Sequence, residues 1–267
     1  MEKIGLIAGN RRFPILFAQA ARDKGYSVVA VAIRQDTSPA LKKIVDKVCW
    51  IGLSEFARMS DFFKREGVSK IVMAGQISPH RLFSKEVIRN KEIQNILKSI
   101  QDKKADSIFG AIAKELEQGG FELLSSVTFM EDFLPKAGTL TRREPSASDW
   151  EDINFGRGIA KEIAYLDIGQ TVAVKHKAVV AVEALEGTDN LIRRAGRVAG
   201  KDVVMVKVSK PKQDPRFDIP VVGLNTVKNL LKIGARCLAI EANKTLFIDQ
   251  ELSVGLADKK GLSMVAV

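Results

Sequence analysis

The first third of the chain alternates short apolar runs with segments of helical spacing. Lys3 to Ala8 is an apolar run that ends at Gly9, and Phe13 to Lys24 then places Phe13, Leu16, Phe17, Ala20 and Ala21 on one helical stripe, with Gly25 as its stop. Ser27 to Ile33 is β-branched and nearly free of polar residues, the pattern of a strand covered on both faces. Val48 to Ile51 and Lys70 to Ala74 read as further strands, the second closed by Gly75-Gln76. Between them Ser54 predicts the cap of a helix over Glu55 to Glu66, with Gly67 after it. A charged helical region follows from Lys85 to Gln118, and Phe121 to Leu124 predicts the last strand of this part. Strands alternating with helices of about 12 residues predict a parallel sheet with helices on its faces.

Pro135 to Asp149 breaks the pattern with two prolines, a glycine and several hydroxyl residues, and reads as a linker. The expected division is 1–134, a linker over 135–149, and a second α/β domain over 150–267. A helix over Trp150 to Leu166, capped by Ser148 or Asp149, opens the second part. Thr171 to Lys175 and Lys177 to Leu185 then alternate at period two, as paired strands do. Gly187 to Ala195 and Thr226 to Lys232 have helical spacing; Asp202 to Val208, Arg236 to Glu241, Lys244 to Ile248 and Leu262 to Val267 read as strands. Lys210 to Pro220 carries three prolines in eleven residues and is expected to be a structured loop. The fold class is therefore α/β, a parallel-sheet N-terminal domain followed by a mixed C-terminal one.

The 267 residues carry a formal net charge of +10, which suits nucleic acid, an anionic membrane surface or a phosphorylated ligand. Aromatic residues make up 6%, too few for the stacking platforms of single-strand binders, so a non-catalytic nucleic-acid-binding protein is the alternative rather than the first reading. Cys49 and Cys237, the two cysteines, sit among apolar neighbours and read as reduced core thiols. The chain opens directly on a strand-like run, without the layout of a signal peptide, and no apolar run has the length of a membrane span. A cytoplasmic protein is expected.

Three constellations could carry chemistry. The turn Gly9-Asn10-Arg11-Arg12 joins a strand to a helix and offers N–H groups to a phosphate, with Arg11, Arg12 or Arg34 as counter-charges. It lacks the glycine fingerprint of a nicotinamide site, since Arg11 replaces the second glycine and Arg34 follows the second strand. The second runs from Glu183 through Glu186-Gly187-Thr188-Asp189 to Arg193-Arg194, acidic groups at a strand end beside two arginines, which fits a metal bound together with a phosphate or, more plainly, a helix cap. The third is Val206 to Pro220, where Asp214 and Asp218 could coordinate Mg²⁺, Lys207, Lys210 and Arg216 could neutralise a diphosphate, and Phe217 and Ile219 would anchor the loop. His176, between the two paired runs, reads as an exposed strand residue rather than a base.

Gly5 to Gly9, Gly75-Gln76, Val179 to Arg194 and Lys210 to Pro220 together resemble the LpxI family, the UDP-2,3-diacylglucosamine pyrophosphatases of lipid A biosynthesis, over nearly the whole chain. The resemblance implies a Rossmann-like N-terminal domain, a C-terminal α/β domain and a homodimer. It also implies Mg²⁺-dependent hydrolysis of UDP-2,3-diacylglucosamine to UMP and 2,3-diacylglucosamine 1-phosphate. An acidic residue of the C-terminal half is essential in that family; Asp218 is the first candidate here, then Asp214 and Asp189, with Glu186 as a supporting metal ligand. Gly9, Asn10, Arg12, Gln76, Thr188, Arg193, Lys207, Lys210 and Arg216 are the expected substrate-binding residues. A diacylated substrate also implies loose, peripheral association with the inner face of the inner membrane, through its anionic lipids.

Overall fold

A computed structural model describes residues 1–53, 55–77 and 105–267. Ser54, His80 and the first part of the charged helical region lie outside the described residues. The chain forms two compact units: Met1–Glu131 with Asp214–Asp218, and Asp132–Gln213 with Ile219–Val267. A short piece of the Pro-rich loop thus belongs to the first unit although the chain around it belongs to the second.

The first unit holds β1 (Lys3–Ala8), α1 (Phe13–Asp23), β2 (Ser27–Ile33), β3 (Lys47–Ile51), α2 (Phe56–Arg65), β4 (Lys70–Ala74), α3 (Ala105–Gln118) and β5 (Glu122–Leu123). The sheet order is β3-β2-β1-β4-β5, every pairing parallel. This is the Rossmann-like arrangement. Val29, Val31 and Ile33 of β2 and Ile71 and Met73 of β4 turn one face toward Met59, Phe62 and Phe63 of α2 and Ala113 and Leu116 of α3. On α1, Phe17, Ala18 and Ala21 are fully buried, and the helix packs on β1 and β2. Burial on both faces explains why β2 reads as a continuous apolar run rather than an alternating one.

The second unit holds β6 (Gly138–Thr139), α4 (Ala147–Tyr165), β7 (Thr171–Lys175), β8 (Ala178–Val182), α5 (Thr188–Ala199), β9 (Val204–Lys207), β10 (Val221–Gly223), α6 (Leu224–Lys232), β11 (Cys237–Ile240), β12 (Leu246–Ile248), α7 (Gln250–Lys260) and β13 (Ser263–Ala266). Its main sheet runs β6-β13-β11-β9-β7-β8, and β10 pairs with β12 separately. Alternate residues divide between two layers. Val172, Val174, Val204, Val206, Cys237 and Ala239 meet Ile153, Ala160 and Ala164 of α4. Ala173, Met205 and Leu238 meet Leu191 and Ile192 of α5, Leu230 of α6 and Ala257 of α7. Both cysteines are free thiols; Cys237 is buried, and that burial pushes its thiol up to about 12.

The segment read as a linker carries β6, paired antiparallel with β13, and the start of α4. The cap of α4 is Ser146, not Ser148 or Asp149. Its hydroxyl accepts the Asp149 N–H, and Asp149 returns a carboxylate oxygen to the Ser146 N–H, a complete capping box. The helix therefore starts three residues before the expected Trp150. A second correction concerns His176, which lies in the turn between β7 and β8 rather than in a strand. His176 and Lys177 have φ of 51° and 57°, as a two-residue hairpin requires, and both N–H groups donate to the buried Asp152 at 3.0 and 2.6 Å.

Candidate functional site

In the first unit the chain winds from β1 outward to β2 and β3, then returns to β4 on the other side of β1. Parallel sheets bind ligands at the carboxyl edge of such a reversal. The two turns at that edge are laid backbone to backbone. The Gly9 N–H donates to Ala74 O at 2.8 Å and the Asn10 N–H to Gln76 O at 2.7 Å. A Cβ on Gly9 would lie 2.5 Å from Gln76 O, and one on Gly75, whose φ is +86°, would lie 2.6 Å from Asn10 O. The glycines are required by this approach. The Gly9 and Asn10 N–H groups are therefore committed to the sheet edge rather than to a phosphate. Pro14, in the first turn of α1 just after the N-cap Arg12, removes one more donor. Gly9→Ala is expected to destabilise the first unit by about 2–3 kcal/mol, since backbone rather than a mobile side chain must move; a urea melt measures it.

The same edge receives the Pro-rich loop. The Ser126 N–H donates to Pro215 O at 2.8 Å. The Ser126 hydroxyl lies 2.7 Å from both Met73 O, near the end of β4, and Arg216 O, and shares its one proton between them. Phe217 packs against the core of this unit, its ring centroid 5.9 Å from that of Phe109. Gly9, Asn10, Gln76, Asp214, Arg216 and Asp218 thus belong to one unit, the glycine turn and the loop both meeting the end of β4. Within the loop, Asp214 accepts the Arg216 Nη2 at 2.6 Å, its Nε at 3.0 Å and its backbone N–H at 3.0 Å. Arg216 also pairs with Glu117 at 2.5 Å. This guanidinium holds the Asp214 carboxyl below its ordinary value. Asp218 is half-buried, its N–H on Asp214 O at 2.9 Å.

In the second unit further candidates lie at the ends of β8 and β9, on α5 and in the loops beside them. Glu183 follows β8, Thr188 opens α5 and Lys207 closes β9. The Thr188 hydroxyl donates to Glu183 Oε1 at 2.6 Å and accepts from Lys207 Nζ at 2.8 Å. Glu186 pairs with Arg194 at 2.5 Å, Arg193 donates to Asn190 at 2.7 Å, Asp189 accepts from Asn229 at 2.9 Å, and Lys210 pairs with Asp167 at 2.6 Å. Sequence reasoning missed Glu241. It accepts from Lys161 at 2.6 Å, from the N–H and hydroxyl of Ser209 at 2.8 and 2.7 Å, and from Lys244 at 2.9 Å. These bonds fix the root of the Pro-rich loop. Burial raises the Glu241 carboxyl, but the ammonium and Ser209 donors outweigh it and bring it to about 2.

Among the described residues no three His, Cys, Asp or Glu side chains gather as a metal cage. Two of the expected metal ligands, Asp214 and Glu186, hold guanidinium groups instead. Mg²⁺ needs only one or two carboxylates when phosphate oxygens complete its shell, so Asp218 fits as a protein ligand to a phosphate-bound ion. No helix among the described residues is long and apolar enough to cross a membrane.

Solved structures with a similar trace include the biotin carboxylase domain of a thermophilic 2-oxoglutarate carboxylase (16% identity, TM-score 0.29). Another is a glycinamide-RNase-transformylase T from Mycobacterium tuberculosis (14% identity, TM-score 0.26). They match 65% and 68% of this chain, which spans 35% and 44% of theirs, and at these scores the likeness carries no argument. The chain is 29% identical to the UDP-2,3-diacylglucosamine pyrophosphatase LpxI of Caulobacter vibrioides, over 100% of its own length and 98% of that protein's. Residues 3–133 match the LpxI N-terminal domain and residues 136–265 the LpxI C-terminal domain. From its first strand to its last, the chain belongs to the LpxI family.

Proposed function

We propose that this protein hydrolyses the diphosphate of UDP-2,3-diacylglucosamine, giving UMP and 2,3-diacylglucosamine 1-phosphate in lipid A biosynthesis. The observation that carries the reading is the full-length match to both LpxI domains, joined to a relative of that activity at 29% identity. Neither fold nor family supports the nucleic-acid alternative.

Hydrolysis needs an aligned water, cations on the phosphate oxygens and a stabilised leaving phosphate. The water oxygen bonds to phosphorus, the bridging P–O bond breaks, and the leaving phosphate keeps the electron pair. In the first unit, Asp218 is assigned to align the water and receive its proton, with Asp214 and Arg216 holding the loop's shape around it. In the second unit, Lys207 is assigned as a cation for a substrate phosphate, held in place through Thr188, whose one proton goes to Glu183. Mg²⁺, bound with the substrate, would be held by Asp218 and phosphate oxygens and would neutralise phosphate charge. Loose attachment to anionic lipid, supported by the +10 charge and the lipid substrate, completes the reading, together with the homodimer and the cytoplasmic location expected from the family resemblance and the sequence.

The metal requirement has its own test. Turnover is expected to vanish in EDTA and to return with excess Mg²⁺; full turnover in EDTA contradicts it.

A further inference from the structure

We infer that Glu183 is a positioning residue, holding the Lys207 ammonium, through the Thr188 hydroxyl, in one fixed arrangement for a substrate phosphate; the inference rests on the pyrophosphatase reading above. Three elements meet here. Thr171 of β7 pairs with Lys207 on one side, and its carbonyl accepts the Glu183 N–H at 2.8 Å on the other. Lys207 and Glu183 are therefore neighbours across one strand, at the same end of the sheet. They are 7% and 8% exposed. The backbone at Glu183 is itself pinned, since a Cβ on Gly169 would come 2.1 Å from its carbonyl oxygen.

The hydrogen bonds have a single order. Thr188 owns one hydroxyl proton and gives it to Glu183 Oε1 at 2.6 Å, so its oxygen is left to accept from Lys207 at 2.8 Å. The second carboxylate oxygen lies 4.0 Å from the ammonium. One Lys207 N–H is spent on Thr188, which leaves the ammonium donors for a ligand. Burial opposes ionisation of Glu183, while Lys207, the Thr171 and Thr188 hydroxyls and the Gln170 N–H bring its carboxyl below the ordinary value.

Stability does not account for this cluster. A buried ion pair is often matched or bettered by apolar residues of equal size. The ammonium is also at the wrong helix end. Lys207 touches the first residue of α5, a 12-residue helix whose N-cap, Gly187, gives no side-chain cap. A helix N-terminus carries partial positive charge and favours anions. Buried cation and helix terminus together suit a phosphate oxygen, and Glu183, acting through the Thr188 hydroxyl, keeps the cation in place before the phosphate arrives.

The test measures UMP release from UDP-2,3-diacylglucosamine by Glu183→Gln, Thr188→Val and the pair Glu183→Met with Lys207→Met, each with a thermal melt. Glu183→Gln keeps an acceptor for Thr188 but loses the charge, and kcat/KM is expected to fall about 100-fold. The loss should fall on kcat more than on KM, because pre-organisation is felt in the transition state. Thr188→Val, which takes the shared partner from the buried carboxylate and ammonium, is expected to lower kcat/KM and also to lower the melt. The double Met variant is expected to melt at or above the unsubstituted protein and to be inactive, which a purely structural pair would not be. The inference is overturned if Glu183→Gln and Thr188→Val retain the unsubstituted kcat/KM, or if the double variant turns over normally. Absence of turnover by the unsubstituted protein contradicts the hydrolase reading instead.

Discussion

Asp218→Ala is expected to lower kcat by about 10³-fold or more, the scale of removing a group that handles a proton in the transition state. The argument is local. Asp218 ends the segment Asp214–Asp218 that the first unit takes in at the carboxyl side of its sheet. Ser126 grips the backbone of Pro215 and Arg216, and Phe217 is seated on the core one residue before Asp218. A segment held through its backbone and by the Phe217 ring keeps its geometry, as one that carries a reacting group must. Asp214→Ala should behave differently. Its carboxylate is engaged by the Arg216 side chain and N–H, so its loss should loosen the loop and lower activity less than Asp218→Ala does. Steady-state kinetics on the two variants, each with a thermal melt, separates the roles. Equal, wild-type-like turnover by Asp218→Ala contradicts the assignment.

The largest effect on stability is expected at Glu241. Its side chain is 8% exposed and its carboxyl is held near 2 rather than 4.5. A depressed carboxyl stabilises the fold above its unfolded value and loses that contribution as pH falls through the folded one. By linkage this is about 3 kcal/mol at neutral pH. Glu241→Gln is expected to remove stability of that order at pH 7 and to flatten the loss between about pH 4.5 and 2. Urea denaturation across that range tests both. A variant as stable as the unsubstituted protein at pH 7, with an unchanged acid limb, contradicts the role given to the Lys161–Glu241–Ser209 cluster.

The strands of the first unit were legible because burial on both faces leaves uninterrupted runs such as Ser27–Ile33. The paired strands β7 and β8 were legible from alternation. Helix α7 was not, because its inward face is made of small residues: Ser253 and Ala257 are its buried positions, and no apolar stripe marks it. The cap of α4 was misplaced because Trp150 stands out as the first large apolar residue, while the capping serine lies four positions earlier. The candidate site was partly legible. Opposite charges on a Pro-stiffened loop mark Asp214 to Asp218, and Phe217 marks where the loop is anchored. That this segment docks on the first unit has no local signature, since the Ser126–Arg216 bond joins residues 90 positions apart. Glu241 was hidden for the same reason, with partners 80 and 32 positions away. Glu183 was visible as an acid in an apolar strand, but its link to Lys207 needs the pairing of β7 with β9.

The most direct measurement is product analysis after incubating the full-length protein with UDP-2,3-diacylglucosamine in detergent micelles and Mg²⁺. UMP and 2,3-diacylglucosamine 1-phosphate, formed in equal amounts, are the predicted products. A folded protein that leaves the substrate intact, or that releases UDP in place of UMP, contradicts the account.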